Sequence, residues 1–199
     1  MAGTAVELNG RIADRVRELR AARRLSLDAL AARSGVSRSM ISLVERGETS
    51  ATAVVLEKLA SALGVTLPAL FDPPAGARRP AAGPIARRGD QPVWRDPDSG
   101  YVRRNVSPPG VAQPMRIVEV QFPPGGRVAF ENGAREVRVH QQVWVLDGAI
   151  EVAVGRDRHR LRAGDCLAMD LDCPTMFHNP GRKVARYAVV TASEPAGRR

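Results

Sequence analysis

Two short apolar faces on either side of a glycine turn, within residues 26–47, constrain this chain more than any other part of its 199 residues. Leu27, Leu30 and Ala31 share one side of a first helix, and Met40, Ile41 and Val44 share one side of a second. Ser26 and Ser37 precede the two runs, and each can accept a hydrogen bond from a backbone N–H one turn on. Gly35, in the turn Arg33-Ser34-Gly35-Val36, stands where the first helix must end in a left-handed residue, which glycine adopts without steric cost. The second helix keeps Arg38, Ser39, Ser42 and Arg46 on its outer face. A short helix that is apolar on one side and cationic on the other fits the major groove of DNA. Five short helical segments are expected across residues 11–70, with this pair as the second and third.

From Gly35 through Ile41 to Gly47 the chain resembles the recognition-helix motif of the Cro-type (XRE) helix-turn-helix family. The entry helix, from Arg11 and Ile12 to Leu19 and Arg20, and the closing residues Val55, Leu56, Leu59, Ala60, Leu63 and Gly64 fit the same family. The resemblance implies a five-helix, lambda-repressor-like DNA-binding domain over residues 1–71. Carried over by motif position, Ser37, Arg38, Ser39, Ser42 and Leu43 would face the groove, with Arg38 and Ser39 nearest the base edges. Ser26 and Leu27 would approach phosphate through backbone N–H groups, and Arg46 completes the expected DNA-binding set. Leu43 departs from the polar residue often found there, so contact with a thymine methyl, or no readout, is expected.

Charge supports a polyanion partner without naming it. The chain carries 30 basic and 21 acidic residues, a formal charge of +9. The excess is spread along the chain, and only Lys58 and Lys183 are lysines. Bulk positive charge favours polyanions through counterion release. No stretch of about twenty apolar residues exists, so no membrane span is expected. Met1 to Leu8 lack a basic region followed by an apolar core, so no secretion signal is expected either. Cys166 and Cys173 cannot build a disulfide framework or a four-ligand zinc site alone. They are expected as reduced, buried thiols in a cytoplasmic protein; no neighbouring charge pattern argues for a redox sensor.

After Phe71 the chain changes character. Residues 72–92 are rich in proline, glycine and alanine and read as a semi-stiff linker, in which Arg78, Arg79, Arg87 and Arg88 are solvated charge. From Val93 short β-branched and aromatic runs alternate with turns at Asp147-Gly148, Gly164-Asp165 and Pro180-Gly181. Many short strands with regular turns indicate an antiparallel sandwich or barrel. The run from Val143 to Val152, then Leu161 to Asp165, then Cys173 to Gly181 resembles the cupin fold, a double-stranded β-helix. That resemblance implies an antiparallel β-barrel over residues 93–192, with 193–199 as a flexible tail. The expected class is thus multidomain, α then β.

Cupins often hold a metal, and here the family's ligand positions fall on Ala134, Glu136, Gln141 and Thr175. Transition metals need imidazole or carboxylate ligands, so neither a bound metal nor another cofactor is expected. A substitute set of His140, His159 and His178 is opposed by strand alternation, which turns His140 and His178 away from Gln141 and Thr175. What remains suits a small organic effector: Gln141 and Thr175 supply polar groups, and Val143, Met169 and Phe177 an apolar wall. Trp144 and Leu146 point outward and suggest a homodimer surface.

Three function classes follow. The first is a sequence-specific transcription regulator, read as a repressor, that binds double-stranded operator DNA as a homodimer and senses a small molecule through a metal-less cupin domain. The second is a metal-dependent cupin enzyme tethered to DNA. The third is an antitoxin-like regulator whose barrel binds a protein. The missing histidines oppose the second, and co-purification of a partner would separate the third. Effector, operator and target genes are not readable from the residues.

Overall fold

The computed structural model describes residues 3–72, 83–111, 114–132 and 137–195. Its first part holds four α-helices: α1 (Gly3–Ala22), α2 (Leu27–Ser34), α3 (Arg38–Glu45) and α4 (Ala53–Ala62). The fifth expected helix is instead a 3-10 turn, Leu67–Phe71. Pro68 has no amide to donate, and the Ala69 N–H closes on Thr66 O at 2.9 Å, three residues back, so no α-turn forms. Ile12, Val16 and Leu19 line the buried side of α1 and meet Leu30, Ile41, Leu56, Leu59 and Leu63. α1 is pinned to α3 by Arg20, which grips Glu45 through Nε–Oε1 at 2.6 Å and Nη2–Oε2 at 2.8 Å. Glu45 is itself buried, so this pair holds the helices in one arrangement.

The second part is all antiparallel. Its strands are β1 (Val93–Arg95), β2 (Val102–Asn105), β3 (Met115–Phe122), β4 (Arg127–Phe130), β5 (Val137–Asp147), β6 (Ala149–Val154), β7 (Asp157–Arg162), β8 (Cys166–Asp170), β9 (Thr175–His178) and β10 (Ala185–Pro195). One sheet has the order β1-β2-β3-β10-β5-β8, and the other β4-β9-β6-β7. Phe122, Val143, Val145, Ile150 and Val152 fill the space between them. Gly148 joins β5 to β6 at φ 76°, and a Cβ there would come within 3.2 Å of the Ala185 backbone, so the position needs glycine twice over.

The expectation of a closed barrel is corrected to two facing sheets, with no strand pairing between them among the described residues. The edges fall on the short β1, β4 and β8 and on β7, whose Asp157, Arg158, Arg160 and Arg162 are exposed. Shortness and charge are what leave such edges unpaired. β10 also runs to Pro195, beyond residue 192 at which the β domain was expected to end, because Ser193, Glu194 and Pro195 stay in register with β5.

The two parts are packed on one another. Residues 73–82 of the expected linker, with Arg78 and Arg79, lie outside the described residues. The rest is folded down: residues 88–90 make a 3-10 turn, and Arg104 Nη1 donates to Arg88 O at 3.4 Å. Across the boundary, Asp96 Oδ1 accepts from Ala53 N at 2.8 Å, capping α4 from the β domain. Lys58 Nζ lies 3.1 Å from Glu131 Oε2, and Arg116 Nη2 lies 3.4 Å from Asp72 Oδ2. An edge-on aromatic chain crosses the same boundary, Phe71 to Trp94 at 5.9 Å, Trp94 to Tyr101 at 5.8 Å and Tyr101 to Phe122 at 6.0 Å. Both parts therefore share one continuous core.

Candidate DNA interface and effector cavity

Local chemistry builds the surface on α3. Ser26 Oγ accepts from Ala29 N at 3.0 Å and Ser37 Oγ from Met40 N at 3.2 Å, starting α2 and α3 as N-caps. Gly35 takes φ 65°, and its N–H closes on Ala31 O at 2.9 Å, which ends α2 and sets the angle to α3. With Leu30, Val36, Ile41 and Val44 buried, Ser26, Ser37, Arg38, Ser39 and Arg46 are left exposed. Leu27, Ser42 and Leu43 are half-buried beside them.

Two carboxylates that the sequence reading did not single out hold the arginines of this face. Arg38 Nε lies 3.3 Å from Asp28 Oδ1, and both side chains are largely exposed. Arg46 grips Glu48 in a fork, Nε–Oε1 and Nη2–Oε2 both at 2.8 Å, and also donates through Nη1 to Ser42 Oγ. The hydrogen bond with Glu48 raises the Arg46 pKa, and the same bond lowers that of the Glu48 carboxyl. Exposed pairs of this kind are weak and salt-screened, so a phosphate can replace either carboxylate at little cost. The sequence signal was available: Glu48 stands two residues after Arg46, with Gly47 turning the chain back at φ 68°.

A cavity of about 70 Å³ lies between the sheets and the helical domain. The β domain supplies Arg103, Asn132, Gln141, Thr175 and Thr191 as polar lining and Val120, Phe122, Phe130, Phe177 and Val189 as apolar lining. The helical domain supplies Glu57, Thr66, Leu67 and Pro68. Of the residues expected to form a pocket, Gln141, Thr175 and Phe177 line this one. Val143 and Met169 do not: Val143 is wholly buried in the core, and Met169, paired with Gln141 across β5 and β8, is half-buried outside the lining.

Arg103 is the residue the sequence reading missed. It is 6 % exposed, its Nε donates to Asn105 Oδ1 at 3.3 Å, and its guanidinium sits 5.6 Å over the Phe71 ring. Its Nη2 is buried without a hydrogen-bond partner among the described residues. Burial lowers its pKa, and the neighbouring Tyr101 phenol and Glu57 carboxylate act in the opposite sense. Tyr101 and Tyr187 complete the lining, and burial pushes both phenols well above their ordinary range, which keeps them neutral. The signal was strand alternation, which puts Tyr101, Arg103 and Asn105 on one face.

The metal positions of a cupin do not fit a cation here. Ala134 and Glu136 lie outside the described residues. Thr175 Oγ1 accepts from Asn132 Nδ2 at 2.9 Å, Gln141 is a neutral amide, and the Arg103 guanidinium shares the cavity. A neutral amide, a hydroxyl and a buried cation are poor partners for a divalent ion. Two of the three histidines are engaged elsewhere, His140 Nδ1 at 2.6 Å from Asp170 Oδ1 and His178 Nδ1 at 3.3 Å from Glu151 Oε2. Cys166 is exposed and Cys173 half-buried, which corrects the expectation of two buried thiols; outward positions on β8 and in its following loop put them there. Desolvation, followed by the charge of Asp172, raises the Cys173 thiol pKa, the opposite of an activated thiolate.

The outer face of the larger sheet carries an apolar patch among charged pairs such as Arg186–Glu119 and His140–Asp170. Ile117 pairs with Val190 and Val190 with Gln142, while Ala188 pairs with Trp144. Trp144 is 50 % exposed, Met115 and Ile117 are exposed, and Leu146 is half-buried.

Comparison with known proteins locates the two parts in sequence and structure space. The helix-turn-helix family model HTH_3 matches residues 16–70. The chain is 25 % identical over 173 residues to the HTH-type transcriptional regulator SutR of Escherichia coli (strain K12), covering 86 % of this chain and 89 % of that protein. It is similar, at 26 % identity and a TM-score of 0.73, to an HTH_3 family transcriptional regulator from Vibrio cholerae, covering 94 % of this chain and 97 % of that one. Weaker likenesses run to the Cupin_2 domain of an XRE family transcriptional regulator from Enterobacter cloacae, 15 % identical over 46 % of this chain and 95 % of that one with a TM-score of 0.41. Another runs to Fe(II) HppE, 20 % identical over 92 % of this chain and 99 % of that one with a TM-score of 0.47. No helix among the described residues is long and apolar enough to cross a membrane.

Proposed function

We propose, from the premise that this chain is an XRE-type helix-turn-helix transcriptional regulator with a cupin domain, that two copies of it occupy an inverted-repeat operator in the cytoplasm and that a small molecule in the cupin cavity tunes that binding. The observation that carries this reading is the exposed polar and cationic face of α3, held at a fixed angle to the capped start of α2. Arg38 and Ser39 read base edges; Ser37, Ser42 and Leu43 complete the groove contact, and Arg46 meets phosphate. Ser26 and Leu27 offer phosphate the free N–H groups at the start of α2.

A single module reads few base pairs, and two modules about 34 Å apart supply the rest. The outer sheet face around Ile117, Trp144 and Val190 is the surface on which the copies meet, with Leu146 at its margin. Occupation of an operator excludes polymerase without further contacts, so the outcome is repression. The cavity binds and does not catalyse, because its donors suit recognition and not a metal or a nucleophile.

Mapping the binding sites of the full-length protein on its own genome, followed by footprinting, tests the reading. Protected inverted repeats with half-sites about one helical turn apart support it. Uniform binding to all DNA would overturn it. Sedimentation at micromolar concentration tests the dimer, and a Trp144→Glu variant that sediments like the parent protein would overturn the assigned surface.

A further inference from the structure

We infer that the cavity is a receptor for a small carboxylate, whose anion is taken by Arg103 and whose presence is felt directly by the DNA-binding domain, because α4 and the 3-10 turn after it form part of the cavity wall. The inference rests on the effector reading above and adds the chemical class of the ligand and the route of its signal.

Charge selects the class. A guanidinium that is 6 % exposed and has its Nη2 unpartnered among the described residues is costly to bury. An oxyanion is the ligand group that matches its paired donors. The neighbours agree with an anion. Thr175 Oγ1 already accepts from Asn132 Nδ2 at 2.9 Å, which leaves its own proton to donate, and the Gln141 amide can donate as well. Burial keeps the phenols of Tyr101 and Tyr187 protonated, so they too are neutral donors.

Size narrows the class further. A cavity of about 70 Å³ suits a small ligand, and Phe122, Phe177 and Leu67 offer a short carbon chain an apolar wall beside the anion.

The wall supplies the route. Glu57 stands on α4 and Thr66, Leu67 and Pro68 follow it, so one side of the cavity belongs to the helical domain. An anion arriving at Arg103 meets the field of Glu57, a like charge that already acts on that guanidinium. A ligand there changes how the two domains hold each other, and it alters DNA affinity by its different affinity for the two arrangements.

Calorimetry on dialysed full-length protein with acetate, propionate and butyrate, and with propionamide and propylamine as neutral and cationic counterparts, tests the inference. Carboxylates should bind and the amide and amine should not. Arg103→Gln should weaken propionate by about 10–100-fold, as loss of a charged hydrogen bond implies. Glu57→Gln should tighten it several-fold, a gain that misfolding cannot imitate. By linkage, operator DNA must change propionate affinity by the factor by which propionate changes operator affinity, about 5-fold or more. If the amide or amine binds as well as the carboxylate, the anion assignment falls while the effector reading stands. If none of these probes binds, the carboxylate receptor falls. A wider neutral panel that also fails removes the effector reading with it. If carboxylates bind but neither Glu57→Gln nor operator DNA alters their affinity, the route through α4 is overturned.

Discussion

The DNA-binding face and the cavity are built in opposite ways. The first is exposed and assembled from neighbours in sequence: two serine caps, one left-handed glycine, and side chains three or four positions apart. The second is buried and assembled from residues as distant as Glu57, Arg103, Thr175 and Thr191, drawn from a helix and from strands of both sheets. Local surfaces tolerate change in any one residue, since water replaces the lost partner. Non-local buried sites do not, because a lost partner leaves a desolvated group behind.

The sharpest challenge to that contrast is Glu45, the non-local element of the helical domain. Glu45→Ala removes the carboxylate from Arg20 and leaves a mostly buried guanidinium, so the protein should lose about 3 kcal/mol of stability, read by chemical denaturation. A loss below about 0.5 kcal/mol would mean that caps and apolar packing hold α3 without the pair. Next in size is Asp96→Ala, which strips the buried cap from α4 and should cost about 2 kcal/mol. It should also separate the melting of the helical and β parts; a single unchanged transition would show that the aromatic contacts suffice to join them.

Arg38→Ala should cost about 1–3 kcal/mol in affinity for the specific operator and leave stability within about 0.5 kcal/mol of the parent. Equal weakening on every DNA sequence would make Arg38 a phosphate contact. The smallest effect is expected from Glu48→Gln. Freed from its fork, Arg46 meets phosphate without first giving up a partner, so DNA affinity at low salt should rise by less than about 1 kcal/mol. An unchanged affinity would place Arg46 away from the backbone.

The same contrast explains what the sequence revealed. Capping and helical spacing act within a few residues, so α2, the turn and α3 could be read directly from Ser26, Gly35, Ser37 and Ile41. The last segment could not, because an apolar run containing Pro68 looks helical until its missing amide is counted. The cupin resemblance pointed to Gln141 and Thr175, and alternation along their strands added Phe177. It put Val143 in the same lining because alternation reports a face and not the depth along it. Arg103 was not singled out, because a run of two arginines carries no local sign of burial; its place over the Phe71 ring does. Closure of the sheets depends on pairing between distant strands, about which local pattern is silent.

The contact between Asp96 and Ala53 N bears on the order in which the molecule is made. The acceptor stands 43 positions after the donor. Chains leave the ribosome N-terminus first, and domains generally fold as they emerge. The four helices are thus all synthesised before the residue that completes the start of α4 has been added. Until the turn holding Asp96 emerges, the amide of Ala53 has only water as a partner, and Phe71 lacks the Trp94 edge against which it packs. The DNA-reading part of the chain is synthesised early and finished late, which ties the appearance of a competent regulator to synthesis of the part that would sense its ligand.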